Sequence, residues 1–244
     1  MIVAGIDFET TSVDPHTCHP TEVALILWEA QTNTIIEPMS FLLQLPAEVE
    51  VTNEHITGIS KRLVQNYGYR WNEAQEYILQ RLAYADYFMA HNVEFDRTIL
   101  KRMVNWENHY GEKPFDDSHW IDTMTDVPYP EGIKTRALTY LAAEHGFVNP
   151  FPHRALFDVM TMIKIAGMYD LAEILKYANS PNIWLRASVS FEDKQLAKDR
   201  YFKWDPTNKL WVKKVKEMNI AYEEERAEFP IDLLPGYEYQ EKYS

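Results

Sequence analysis

Near the start of the chain, Asp7 and Glu9 stand one residue apart at the end of the apolar run Ile2-Val3-Ala4-Gly5-Ile6. The run is short and β-prone, as a central strand is, and a strand's period of two puts both carboxylates on one side. Like charges so close repel, and they cost desolvation where they are partly buried. The first Lys or Arg is Lys61, so compensation must come from distant side chains or from a cation. Two further segments carry acids with a histidine: Ala90-His91-Asn92-Val93-Glu94-Phe95-Asp96 and Pro152-His153-Arg154-Ala155-Leu156-Phe157-Asp158. Asp96 falls at the start of a helix after a short strand, and Asp158 falls early in a long helix. Five helical residues turn the direction by about 140°. His153 and Asp158 would therefore not share a helical face, and His153 belongs on the preceding loop, within reach of the same site.

If Asp7, Glu9, Asp96 and Asp158 converge, they form an all-oxygen site that suits Mg²⁺ or Mn²⁺ and not a structural zinc. Two such ions bridging a phosphate can activate water and stabilise the leaving oxygen of an in-line displacement. His153 can take the proton from that water, the role an imidazole commonly fills. Each residue also has a plainer reading. Asp7 alone would be a turn or helix cap, Glu9 a solvated surface residue, and Asp96 and Asp158 first-turn acids favoured by the helix dipole. His91 and His153 would be structural histidines. Spacing by itself does not bring the three segments together.

The elements that must position these residues follow from periodicity. Glu22–Glu29 and Ser40–Gln44 read as further strands, with a turn at Gln31-Thr32-Asn33-Thr34. Trp71–Ala83 has helical apolar spacing, Tyr87–Ala90 is a short strand, and Phe95–Trp106 and Thr135–His145 are helices, the latter stopped by Gly146. One long helix is expected from Ala155 to Ala178, with Gly167 in its middle. Strands first, then helix-strand-helix, predict an α/β domain with a mixed central sheet flanked by helices over residues 1–180. Residues 181–244 form a C-terminal extension, in which the turn-forming Asp205-Pro206-Thr207-Asn208 lies between aromatic and basic flanks and predicts a β-hairpin.

The whole chain has 244 residues, 46% hydrophobic and 25% charged, as a soluble globular protein does. It has no apolar run near the roughly 20 residues of a membrane span. The first residues lack a basic leader region, which argues against a signal peptide, and the single cysteine, Cys18, excludes an internal disulfide. A cytoplasmic protein is expected. The formal charge of −13 argues against broad affinity for nucleic acid, yet Lys194–Lys216 holds eight basic residues against Asp199 and Asp205. Lys209 could meet a phosphate there and Trp211, like Trp204, stack on a base, or these could be a solvated face and a hairpin core.

The segments DFETTS, AHNVEFD and HRALFD resemble the three motifs of the DEDDh 3′–5′ exonucleases, the group containing the proofreading subunit of bacterial DNA polymerase III. Within the family, the stretches IIEPMSF, AHNVEFDRTIL, GIKTRALTYLAAEHG and HRALFD are most similar to bacterial exodeoxyribonuclease X. The resemblance covers most of residues 1–178. It implies a ribonuclease H-like fold and two-metal hydrolysis that releases nucleoside 5′-monophosphates from single-stranded DNA 3′ ends. Asp7, Glu9, Asp96 and Asp158 would hold two Mg²⁺ ions, for which Mn²⁺ substitutes, and His153 would be the general base. Contacts to the terminal nucleotide are expected from Phe8 through its backbone, Thr10, Ile56, Thr57, Ile59, His91, Asn92 and Phe95. Thr57 stands where the family commonly has His, and an FGKY-like motif of the exodeoxyribonuclease X tail is missing. The expected partners are DNA 3′ ends, with RNA as the alternative, and a DNA polymerase or repair protein. A homodimer is compatible with the sequence. The rival functions are a 3′–5′ exoribonuclease, a proofreading subunit, and a non-catalytic nucleic-acid-binding module.

Overall fold

A computed structural model of the chain describes residues 1–104 and 119–237. It comprises two compact units, Met1–Ala178 and Asn179–Ser244. Among the described residues, no helix is long and apolar enough to cross a membrane.

The first unit is built on strands β1 (Ile2–Thr10), β2 (Pro20–Glu29) and β3 (Thr34–Leu42). Helices α1 (Glu54–Thr57), α2 (Lys61–Tyr67) and α3 (Trp71–Leu82) follow, then β4 (Tyr87–Ala90), α4 (Val93–Met103) and β5 (Trp120–Asp122). Helices α5 (Leu138–Glu144), α6 (Ala155–Ala166) and α7 (Leu171–Ala178) complete the unit. The five-stranded sheet has the order β3-β2-β1-β4-β5. β1 pairs antiparallel with β2 and parallel with β4, so the sheet is mixed, as expected. β1 and β2 read as near-continuous apolar runs because both of their faces are covered. Ala4, Ile6 and Phe8 pack with Ile78, Leu82, Ile99 and Leu100 from α3 and α4. Val3, Ile26 and Trp28 pack on the other face with Val159, Met162 and Ile163 of α6 and Ile174 of α7.

Several boundaries differ from the sequence expectation. β3 begins at Thr34 and not at Ser40, because it is an edge strand, partly solvated and carrying Pro38. α1, α2 and β5 went unread, each a single short element. The expected long helix is two. Gly167 ends α6, where an added Cβ would lie 2.6 Å from Asn33 Oδ1. Asp170 restarts the chain as α7, its carboxylate accepting the Ala172 N–H at 3.0 Å. Trp106, the expected end of the α4 segment, lies outside the described residues.

The second unit contains β6 (Asn182–Ala187), α8 (Lys194–Asp199), β7 (Lys203–Asp205), β8 (Leu210–Lys216), α9 (Ile220–Arg226) and β9 (Ile231–Leu233). Its antiparallel sheet has the order β7-β8-β6-β9 around Leu185, Ala187, Ala197, Phe202 and Val215. The expected hairpin is β7–β8. Asp205 holds its turn by accepting from Thr207 N–H at 2.8 Å, from the Asn208 amide at 2.7 Å and from the Tyr237 hydroxyl.

Candidate active site

Alternation along β1 places Gly5, Asp7 and Glu9 on the face that α6 covers. Gly5 is what lets the helix approach. A Cβ there would lie 2.8 Å from Val159 Cγ1 and 3.1 Å from Ile163 Cδ1. The first turn of α6 thereby meets the end of β1, and one carboxylate oxygen from each of Asp7, Glu9 and Asp158 lies within 4.8 Å of the others. Asp158 is oriented through both oxygens. Asn149 Nδ2 donates to Oδ1 at 2.6 Å, and the His153 N–H donates to Oδ2 at 3.0 Å.

Asp96 reaches the site from the opposite layer. β4 pairs with β1 only as far as Gly5, so the remaining β1 backbone needs other partners. The Phe8 N–H finds Asp96 Oδ1 at 3.0 Å. Asp122 fixes the start of α4 by accepting the N–H groups of Asn92 at 3.1 Å and Val93 at 3.3 Å. Asp96 is not in the three-oxygen group, but of all neighbouring charges it bears most on Asp7.

The electrostatics reflect crowded, poorly hydrated acids. Burial, then repulsion from Asp96, Glu9 and Asp158, holds the Asp7 carboxyl well above the usual range. Burial and the charges of Asp158 and Glu22 push Glu9 up to about 8, against a lowering pull from Arg154. Burial raises Asp158 to about 6, opposed by the His153 N–H. Asp96 is raised mainly by burial, with the Phe8 N–H opposing.

One further acid flanks the group. Glu22 is the cross-strand partner of Glu9 and is buried. Arg154 grips it through Nε at 3.0 Å and a second guanidinium nitrogen at 2.9 Å, while Ala155 N–H and Ser40 Oγ donate at 3.1 and 3.0 Å. Sequence reading missed Glu22, Arg154, Asn149 and Asp122. The signals available were the strand alternation that pairs Glu22 with Glu9, and the arginine adjacent to His153.

The other expected positions divide. His153 is exposed on its loop with φ of 60°. Asn92 is exposed with φ of 78°, and Ile56 is exposed as well. Phe8 packs its ring in the core near Trp71, as alternation required. Phe95 packs partly against the same core. Other expected contact residues make internal hydrogen bonds. Thr10 is buried and its hydroxyl donates to Ser12 O at 2.6 Å. Ile59 is buried, and the Thr57 hydroxyl accepts its N–H at 3.1 Å. His91 is held internally, Nε2 to Arg136 O at 2.7 Å and Nδ1 to Thr123 Oγ1 at 2.8 Å, and burial lowers it to about 4. It is a neutral tie between β4 and the loop before α5. Lys209 is exposed and Trp211 half-buried, both in the second unit. The basic stretch is less free than its count implies, since Arg200 and Lys213 both pair with Glu223 at 2.7 Å and Lys216 is buried.

The family model described as Exonuclease (RNase_T) matches residues 4–166. The chain belongs to the exonuclease family. Its mixed sheet and flanking helices are the ribonuclease H-like fold that the motifs implied, and the protein is a nuclease of the hydrolase class. The DEDDh-type resemblance holds at that level. The fold is similar to E. coli exonuclease I in complex with a dT13 oligonucleotide, at 16% identity over 88% of this chain and 63% of that one, with a TM-score of 0.64. It is similar to the zinc ion bound form of the E. coli ExoI–ssDNA complex, at 18% identity over 80% of this chain and 49% of that one, with a TM-score of 0.60. The nuclease domain of 3′hExo, described as a DEDDh family member bound to rAMP, matches 68% of this exonuclease over 90% of its own length, at 15% identity and a TM-score of 0.54. This exonuclease spans less than two thirds of the exonuclease I chains. Residues 183–234 match a second model, described as a domain of unknown function, DUF8626. Comparison with curated protein sequences gives no match.

An exonuclease of this fold depends on a divalent metal, and the donor set fits one: carboxylate oxygens gathered within 4.8 Å, each acid raised by burial and by its neighbours. Positive charge at that point relieves both costs.

Proposed function

We propose that this exonuclease removes nucleoside 5′-monophosphates one at a time from the 3′ ends of single-stranded DNA, with two Mg²⁺ ions, or Mn²⁺ in their place. The observation that carries the reading is the meeting of Asp7, Glu9 and Asp158 beside Asp96, under a loop that exposes His153. Asp7, Glu9, Asp96 and Asp158 would hold the ions. When bound, such ions supply Lewis-acid polarisation of the scissile phosphate and of the attacking water. The chain's own groups do the rest. Asn149 and the His153 N–H fix the Asp158 carboxylate, and the Phe8 N–H fixes Asp96. Arg154 neutralises Glu22 and tempers Glu9, so the number of unpaired acids stays limited. His153 accepts the water's proton on a ring nitrogen, from an exposed position that can return it to solvent. His91, neutral and doubly bonded, keeps the loop before α4 in place.

The oligonucleotide complexes of exonuclease I support DNA as the substrate. The 3′hExo domain bound to rAMP, and a further similar structure described as 3′-end specific recognition of histone mRNA stem-loop by 3′-exonuclease, favour RNA as the second reading. Digestion of 5′-labelled DNA and RNA of one sequence, single-stranded and blunt, decides between them. Shortening of single-stranded DNA in single-nucleotide steps at rates well above RNA is the expected result. Faster loss of RNA would replace the substrate assignment.

A further inference from the structure

The second unit, whose residues 183–234 match a model of unknown function, carries its own groove of about 440 Å³. The groove runs between the loop after β6 and the β7–β8 hairpin, with Arg186, Ser188, Phe191, Trp204, Lys209 and Trp211 among its lining. Two of its aromatic rings face solvent: Phe191 is 81% exposed and Trp204 44%. Rings that large are normally buried in a sheet protein, and exposing two in one groove forfeits hydrophobic stabilisation that burial would give. Neither ring is loose. Trp204 rests against the half-buried Trp211 with ring centroids 5.5 Å apart, and Lys194 Nζ sits 3.7 Å from the Phe191 ring centre. The loop that carries Phe191 is tied down as well. Ser188 donates to Asp232 at 2.8 Å and Ser190 donates to Asp193 at 2.7 Å. The charged residues of the lining are Arg186 and Lys209, both positive in a chain whose formal charge is −13, and Lys194 stands beside the groove against Phe191.

Exposed ring faces among cations, in a groove large enough for one or two bases, have the chemistry of a single strand: bases to stack and phosphates to neutralise. A duplex keeps its bases stacked on one another and could use only the cations. We propose that the second unit is a non-hydrolytic binding site for single-stranded nucleic acid, in which bases stack on Trp204 and Phe191 while Arg186, Lys194 and Lys209 meet phosphates. The site stands on this unit alone and does not depend on the exonuclease reading.

A covalently closed circular oligonucleotide tests it, because a circle offers no 3′ end to the exonuclease site. The full chain is titrated with labelled single-stranded DNA and RNA circles in chelator, with anisotropy as the readout. The wild type is expected to bind, with Trp204→Ala and Phe191→Ala each weakening binding about tenfold or more. Trp204→Tyr, which keeps a ring, should retain most of the affinity. Lys194→Gln with Lys209→Asn should lower the slope of log affinity against log salt by about 0.7 for each phosphate that is no longer neutralised. Equal affinity for both sugars supports a site that reads bases and phosphates, and a preference for one assigns the natural strand. The proposal is overturned if the wild type does not bind circles, if the Trp204 and Phe191 variants bind as wild type does, or if a closed duplex circle binds as tightly. It is equally overturned if those variants instead convert a dimer to a monomer in sedimentation, since the groove is then a face for a second copy. Hydrolysis of linear DNA is followed separately, so a failure of the exonuclease reading shows there and not in circle binding.

Discussion

His153 occupies left-handed backbone, φ 60°, which costs a non-glycine residue about 1–3 kcal/mol and persists only where surrounding structure enforces it. Here the enforcing contact is its own N–H to Asp158, so the residue spends its backbone on one acid and leaves its ring in solvent. Asn tolerates this conformation. His153→Asn is therefore expected to fold with an unchanged melting temperature, bind single-stranded DNA in Ca²⁺ as wild type does, and lose about 10²–10⁴ in single-turnover rate. An unchanged rate would return His153 to a purely structural role. The apparent pKa of the pH–rate profile belongs to the coupled site and not to His153 alone. The acid-bearing positions were legible in the sequence because strand alternation and motif spacing constrain them locally. The Arg154–Glu22 pair was not, since it joins residues 132 apart and only the assembled sheet brings them together.

At the scale of elements, the close contact of α6 with β1 is what turns separate motifs into a cluster. Gly5→Val puts carbon where Val159 and Ile163 already are. It should cost roughly 1–3 kcal/mol of stability. It should also weaken Mn²⁺ binding, measured by calorimetry, by moving Asp158 away from Asp7 and Glu9. A destabilised variant with wild-type Mn²⁺ affinity would show that α6 spacing does not position the site. The elements read correctly were those with strong periods: β1, β2, α3, β4 and the β7–β8 hairpin. β3 was read short because half of it faces solvent, and α6 and α7 were merged because apolar residues continue across a break made by Gly167 and Asp170. β9, with three residues, is too short for alternation to announce it, whereas the six-residue β6 follows closely on α7 with no turn long enough to mark it off.

For the whole molecule, the raised acids link folding to pH. Asp7 and Asp96 are raised, Glu9 titrates at about 8 and Asp158 at about 6, whereas their unfolded counterparts titrate at about 4. The metal-free folded chain thus binds more protons than the unfolded one between these values. Its stability is fullest below about pH 4 as far as these groups are concerned, and is lost as pH rises through 6 and 8. A divalent ion replaces those protons, so its stabilising effect should grow over the same range. Melting temperatures from pH 5 to about 8.5 should fall in chelator and recover progressively in Ca²⁺. A flat metal-free curve with a constant Ca²⁺ increment would contradict the coupling. The central claim, that the Asp7–Glu9–Asp158 cluster hydrolyses 3′ ends with a divalent ion, is tested most directly by 5′-labelled single-stranded DNA digested under single-turnover conditions. The account predicts a ladder shortening from the 3′ end in Mg²⁺, none in excess chelator, and a rate lowered by at least about 10² in Asp158→Asn. Undiminished cleavage in chelator, or an Asp158→Asn variant as fast as wild type, would contradict it.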